Sequence, residues 1–340
     1  MKWNWAILTG LLMLPSLAAA GPFQQKTMQA PFSAREVERG LVLPKGWIQF
    51  SFQGEAKLAE GYWGAEGEAL DFEHADWLYT TERISYRYGF LPNLEIYGSL
   101  AGHWVALTNE LHGTDRADFY LGDPKIGTRF NLLKKETPLL SVAGVIELKS
   151  PGGNESPGSF IGGPATFQSF VTTTGGHDVR LGVDAKKEIQ PSRLAVLGGA
   201  GWVHRFSGLV QYVVETDQRQ FSGRLKAGER LYAGGRVLVQ AGPTAFYAGP
   251  RVEWHSPVKI GTTSGGGLNL SPDRNLSPVE GSDGWSADAD LGFLLHVSRH
   301  VELVGGASIP IRGEDLMFFP LEEIHPTRGV TYSGALQFHY

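Results

Sequence analysis

Thr331-Tyr332-Ser333-Gly334-Ala335-Leu336-Gln337-Phe338-His339-Tyr340 alternates without a break. Tyr332, Gly334, Leu336, Phe338 and Tyr340 fall on one face; Thr331, Ser333, Ala335, Gln337 and His339 fall on the other. A side-chain period of two predicts a β-strand. Chain ends usually fray unless something ties them down, yet this one carries an apolar face to its last, aromatic residue. A transmembrane barrel needs such a strand, because the last strand pairs with the first and removes the sheet edge.

The opposite end of the sequence agrees. Lys2 precedes an apolar run from Ala6 to Leu17, closed by Ala18-Ala19-Ala20. That is the pattern of a secretory signal peptide, so the mature chain is expected to start near Gly21. The apolar run is too short to span a bilayer as a helix, and no Cys follows it to carry a lipid anchor. The 340 residues contain no cysteine, which excludes disulfides, thiolate metal sites and cysteine nucleophiles. Charged residues make up 19%, below the roughly 25% of soluble domains. A net charge of −5 gives no case for nucleic acid. No later run of 18 apolar residues exists, so membrane residence requires a closed barrel of alternating strands.

Trp47 to Ala59 is the cleanest strand, with Ile48, Phe50, Phe52 and Leu58 opposite Gln49, Ser51, Glu55 and Lys57. Ala75 to Tyr88 alternates likewise, except that Glu82 falls among the lipid-facing residues, where a bulge or rim position is expected. Phe90-Leu91-Pro92-Asn93 predicts a tight turn. Further strands are expected at Leu94 to Ala106, Phe119 to Asn131, Pro138 to Lys149, Asp178 to Glu188, Leu194 to Arg205, Gln218 to Arg230, Trp285 to Val297 and Val301 to Pro310. A strand pair around Phe167 to Thr173 is a further candidate. Val237 to His255 is ambiguous, because Pro243 and Pro250 interrupt a run too long for one strand. Short connections alternate with long ones, as periplasmic turns alternate with extracellular loops. Trp47, Tyr88, Trp104, Trp202, Trp254, Trp285 and Tyr340 lie near strand ends, where an interfacial girdle would place them. The expected fold is all-β: a single antiparallel up-and-down transmembrane β-barrel of about 12 strands, or 14 if the ambiguous regions contribute. Residues 1–20 form the signal peptide, 21–46 a periplasmic or lumenal lead-in, and 47–340 the barrel.

Candidate chemistry is sparse. Glu95, Ser99 and His103 share one face of one strand, but residues i and i+4 of a strand stand about 13 Å apart, too far for a catalytic triad. His74, Asp76, His112 and Asp115 are loop residues without metal-site spacing. Gly265-Gly266-Gly267 follows no buried strand and opens no helix, so it is not a phosphate loop. No catalytic residue, metal or cofactor is expected. The pore-lining candidates are Gln49, Glu55, Lys57, Arg83, Arg87, Glu95, Lys125, Arg129, Arg180, Asp184, Asp288 and Asp290. They carry both signs, fitting a polar channel or a lumen closed by salt bridges. Arg83 or Arg87, paired with a carboxylate across the turn at Pro92, would form a constriction at the periplasmic mouth.

Several stretches resemble a family of outer-membrane transporters named for the MetA pathway of phenol degradation, and related uncharacterised barrels. They are Leu43-Pro44-Lys45-Gly46; Arg87 to Ile96, similar to an "RYG-turn-LEL" hairpin; Gly122-Asp123-Pro124-Lys125-Ile126-Gly127; and Glu147 to Gly153, with Ser-Pro-Gly in place of Pro-Thr-Gly. Tyr332, Leu336, Phe338 and Tyr340 resemble the C-terminal assembly signal of bacterial outer-membrane barrels. The resemblance implies a cell outer-membrane channel of a Gram-negative bacterium that moves small, often hydrophobic or aromatic molecules. Its partners would be membrane lipid, the barrel assembly machinery and the solute. A plugged structural barrel and a lipid-modifying enzyme are the alternatives.

Overall fold

The strand β1 (Ile48–Ala59) inverts the layout of a water-soluble protein: Phe50, Phe52 and Leu58 are exposed, whereas Gln49 and Ser51 are buried. The computed structural model describes residues 33 and 35–340, apart from 73–74, 110–113, 137–138, 152–175, 215–218, 263–275, 279–281 and 315–327. Two short strands, β2 (Gly61–Trp63) and β3 (Ala69–Asp71), follow as a small hairpin. Then come β4 (Ala75–Leu91), β5 (Leu94–Asn109), β6 (Thr114–Leu121), β7 (Lys125–Glu136), β8 (Leu139–Lys149), β9 (Asp178–Gln190) and β10 (Leu194–Arg205). The second half holds β11 (Gly208–Val214), β12 (Arg219–Lys226), β13 (Arg230–Ala241), β14 (Thr244–His255), β15 (Lys259–Thr262) and β16 (Ser277–Pro278). It ends with β17 (Gly284–His296), β18 (Val301–Glu314) and β19 (Thr331–His339).

All wall pairings are antiparallel, and the sheet closes: β1 pairs with β19 on one side and β4 on the other, and β4 continues to β5. β6 and β7 share one position beside β5, one above the other, which leaves a closed barrel of 12 strands. Backbone bonds continue past β19, since Ile48 and Tyr340 exchange N–H···O contacts of 2.8 and 2.9 Å. No edge is left unpaired, the condition for a sheet to survive in lipid. β11, β12, β15 and β16 form a second small sheet that prolongs the wall hairpins beyond the barrel rim.

The outer face carries the apolar half of each alternation, including Phe50, Ile84, Leu100, Ile146, Val183 and Phe246, all exposed. A strand of 12 residues tilted as barrel strands are rises roughly 30 Å, enough to cross a bilayer core. A belt of exposed large apolar side chains over a polar interior has only one stable solvent, so the chain is an outer-membrane β-barrel. The short connections between wall strands (β4–β5, β7–β8, β9–β10, β13–β14, β17–β18) join strand ends that lie at one end of the barrel, with the start of β1 and the end of β19. In outer-membrane barrels that end faces the periplasm.

Five expectations change. Phe119 to Asn131 is not one strand but the end of β6 and the first half of β7, parted at Gly122 to Pro124. Glu82 needs no bulge: it pairs regularly with Gly54 and Gly102 and stands exposed on the outer face. The run Gln218 to Arg230 is two strands, β12 and the start of β13. Val237 to His255 is most of a hairpin with a two-residue turn at Gly242 (φ 62°) and Pro243. Pro250 stays inside β14 because the β13 ladder skips Gly235 and Arg236 opposite it, so no donor is missed there. Trp47 leaves the girdle: it is buried at the periplasmic end, whereas Trp104, Trp202, Trp254 and Tyr340 are exposed. The proposed pair around Phe167 lies outside the described residues.

Candidate functional site

The barrel interior is crossed at its periplasmic end by residues 35–46, here called the strap. Its one regular element is a single 3-10 turn, Glu36–Glu38. The strap's polar groups are satisfied by the wall instead. Near β1, Gly46 N–H donates to Gly89 O (2.7 Å) and Leu43 N–H to Glu95 Oε2 (2.8 Å). A side chain at Gly89 would strike the Pro44 carbonyl, so this close approach requires glycine. Arg87 and Arg129 donate to the Leu41 carbonyl (3.2 and 3.3 Å), and Leu41 N–H reaches Ser141 Oγ (3.3 Å). At the far wall Glu36 N–H donates to Gln240 Oε1 (2.9 Å), and Lys186 Nζ pairs with Glu36 Oε1 (2.8 Å). Val37, fully buried, packs against Ala195, Leu238 and Ala245 of β10, β13 and β14. Glu38 accepts from Ser192, whose positive φ of 60° is an unusual state for a non-glycine residue.

Two carboxylates anchor the strap. Glu95 has no exposed surface and takes a two-pronged contact from Arg87 (3.0 and 2.8 Å), plus Arg129 at 3.5 Å. Glu302 pairs with Arg39 of the strap, with His296 Nδ1 at 2.8 Å and His339 Nε2 at 3.0 Å. Arg39 also lies 3.3 Å from His296 Nδ1.

Above the strap, three inward tyrosines lie against the wall because glycines leave room. Tyr97 occupies the space over Gly127, Tyr232 that over Gly182 and Gly201, and Tyr247 that over Gly292 and Gly306. Arginines rest on two of them: Arg180 stands 4.9 Å from the Tyr232 ring centre and donates to its hydroxyl (2.6 Å), and Arg236 stands 5.1 Å from Tyr247. At the outer end, Asp123 turns in between β6 and β7 and meets Lys149 (3.4 Å), which also holds Asp178 (3.0 Å). The β2–β3 hairpin and the head of β4 add an aromatic group there. Trp77 stacks on Tyr79 (6.0 Å), Phe72 lies 6.3 Å from Trp77, and Trp63 covers Gly313.

The structure brings part of the sequence-predicted set together. Gln49, Arg87, Glu95, Arg129 and Asp184 form one chain of contacts at the strap: Gln49 accepts from Arg87 (2.9 Å) and donates to Gln337 (2.8 Å), and Arg129 reaches Asp184 (3.3 Å). Arg180 of β9 and Asp288 and Asp290 of β17 belong to a second group farther from the strap. Glu55, Arg83 and Lys125 occupy inward register positions apart from both and join no ion pair among the described residues, whereas Lys57, also inward, lies within electrostatic reach of Asp288. Tyr332, Leu336, Phe338 and Tyr340 alternate outward along the closing strand. His103 contacts Thr81 (3.0 Å) rather than Glu95, which is taken up by arginine. No group of three metal-ligating side chains occurs among the described residues; His74 and His112 lie outside them, and Asp76 and Asp115 are described in backbone only. Sequence reasoning missed Arg39, Glu302 and His339, and also Arg230, Arg236, Arg251 and Glu253. The last four were recoverable: once Gly242-Pro243 is taken as a hairpin turn, all fall on the inward parity.

No family model matches the chain, and no curated protein matches it. Among solved structures it is similar to the COG4313 outer membrane channel from Pseudomonas putida F1: TM-score 0.62, 10% identity, 90% of this chain and 98% of that one. The two share a barrel fold. Looser likenesses are the KdgM porin (TM-score 0.40, 9% identity, 85% and 98% covered) and a TodX monoaromatic hydrocarbon channel deletion mutant (TM-score 0.42, 8% identity, 87% and 89% covered).

Proposed function

We propose that this protein is an outer-membrane channel for small molecules, gated at its periplasmic end by the strap. The observation that carries the reading is the lumen itself. A 12-stranded barrel is wider than the eight-stranded kind that side chains can fill, and three of its inward tyrosines lie close over wall glycines instead of extending across that width. A purely structural barrel gains nothing from that space. Gln49, Glu55, Lys57, Arg83, Arg87, Glu95, Lys125, Arg129, Arg180, Asp184, Asp288 and Asp290 then line the route. The resemblance to the phenol-degradation transporters supports aromatic or other hydrophobic solutes. The strap supports a closed resting state. Among the described residues, Glu95 and His103 of the candidate catalytic strand do not meet, which weighs against the enzyme alternative.

Planar-bilayer recording of the purified protein and an Arg39→Ala variant tests the reading. Loosening the strap should raise conductance or open probability. A folded Arg39→Ala barrel as silent as wild type, together with a folded barrel lacking residues 35–46 that is also silent, would overturn the channel reading in favour of a structural barrel.

A further inference from the structure

Counted by sign, the lumen wall is close to neutral; measured by depth it is not. On the side formed by β9, β13, β14 and β17, arginines pair with carboxylates. Arg230 meets Glu253 (2.6 Å), Arg236 meets Asp290 (2.6 Å), and Arg251 meets Asp288 (2.9 Å). In each pair the guanidinium is the open partner. Arg236 keeps 45% of its side-chain surface exposed against 8% for Asp290; Arg251 keeps 39% against 18% for Asp288; Arg230 keeps 32% against 9% for Glu253. Arg180 and Glu147 on the neighbouring strands show the same order. The tyrosine rings under Arg180 and Arg236 hold the guanidiniums in place.

Each pair is therefore a dipole with its positive end in the lumen and its negative end against the wall. A solute in the passage meets the nearer pole first, so a row of such dipoles attracts anions although the charges cancel. Chemistry points the same way as the field. A guanidinium has five N–H donors, and the paired carboxylate uses only some of them. The carboxylates can only accept, and they are turned from the passage.

We propose that this wall is a recognition track for small organic carboxylates, with Arg236 taking the solute carboxylate through its free guanidinium edge and Arg251, whose Nη2 already serves Asp288 and Ser308, adding its remaining amino N–H donors. Such an edge matches a carboxylate in a two-pronged geometry that lysine cannot reproduce. The inference rests on the channel reading, and it names the solute class that the channel favours.

Two measurements on the full-length, detergent-folded protein test it. In equilibrium dialysis at low salt, radiolabelled benzoate should bind and benzyl alcohol, its uncharged counterpart, should not. Arg236→Gln/Arg251→Gln should weaken benzoate binding roughly tenfold, the loss of a charge-assisted contact. Arg236→Lys, a milder change for folding, should weaken binding while leaving the ionic preference of conductance intact. In planar bilayers under an asymmetric KCl gradient, the Arg39→Ala protein should show a reversal potential of anion-favouring sign, reduced in the glutamine variant. Benzoate binding that is absent, or unaffected by both sets of substitutions, overturns the track, as does cation selectivity. Arginine-dependent binding in a protein that never conducts overturns the channel reading and leaves the track standing.

Discussion

At Glu95 one carboxylate with no exposed surface serves two arginines and a backbone N–H, drawn from β4, β7 and the strap. Glu302 does similar work for Arg39, between two histidines. The two differ in what they hold. Glu95 ties wall strands to each other and to the strap backbone at Leu43, whereas Glu302 holds the strap through the Arg39 side chain. Removing one member of a buried pair costs about 3–5 kcal/mol, because the other charge is left uncompensated. Glu302→Gln should therefore release Arg39 and raise bilayer conductance while the barrel stays folded, as judged by heat-modifiable gel mobility. A second residue-scale prediction concerns Gly201, whose missing side chain makes room for Tyr232. Gly201→Val should swing that ring into the passage and lower the conductance of an Arg39→Ala barrel. Adding Tyr232→Ala to the same protein should restore it.

At the scale of elements, the strap is held by one apolar foot as well as by charges. Val37 fills a niche between Ala195, Leu238 and Ala245, and burying a valine side chain is worth about 1.5–3 kcal/mol. Val37→Asp should lift that end of the strap, seen as faster proteolysis near residue 37 and higher open probability, with the barrel's melting temperature unchanged. The strands themselves were legible because alternation is a local signal: β1, β4, β5 and β19 read correctly wherever one face is greasy and the other wet. β13 and β14 did not, because Pro250 looked like a breaker and is in fact absorbed where the neighbouring strand offers no bond. The strap was illegible for another reason. Arg35, Glu36, Glu38 and Arg39 form a charge pattern that a solvated segment would also show, and the wall partners of Glu36, Glu38 and Arg39 lie 150 residues away or more, beyond any periodicity. Depth escaped in the same way. Alternation tells which side chains face the lumen, but not that guanidiniums stand proud of the carboxylates they pair with.

At the scale of the whole molecule, β1 meets β19 across almost the full length of the chain, from Gln49 with His339 to Lys57 with Thr331. The wall cannot close until that pairing forms. Removing Phe338 to Tyr340 deletes two of the outward aromatics and the backbone bonds between Ile48 and Tyr340. The truncated protein should then fail to reach the compact, heat-modifiable form, and insertion at normal levels would show that the closing pairs are dispensable.

The strap is joined directly to β1, and this makes it a ligand that never leaves its receptor. A segment tethered on so short a leash experiences an effective concentration on the order of millimolar. Staying seated about 99% of the time then needs an intrinsic dissociation constant of only about 10 μM, roughly 7 kcal/mol. Its contacts can be individually weak and still keep the mouth shut, and losing any one of them shifts the balance measurably. The same reasoning sets a dose. A free peptide of residues 35–46, added to a barrel lacking that segment, should restore closure only as its concentration approaches tens of micromolar. Block at nanomolar peptide would mean a clamp far tighter than a gate requires.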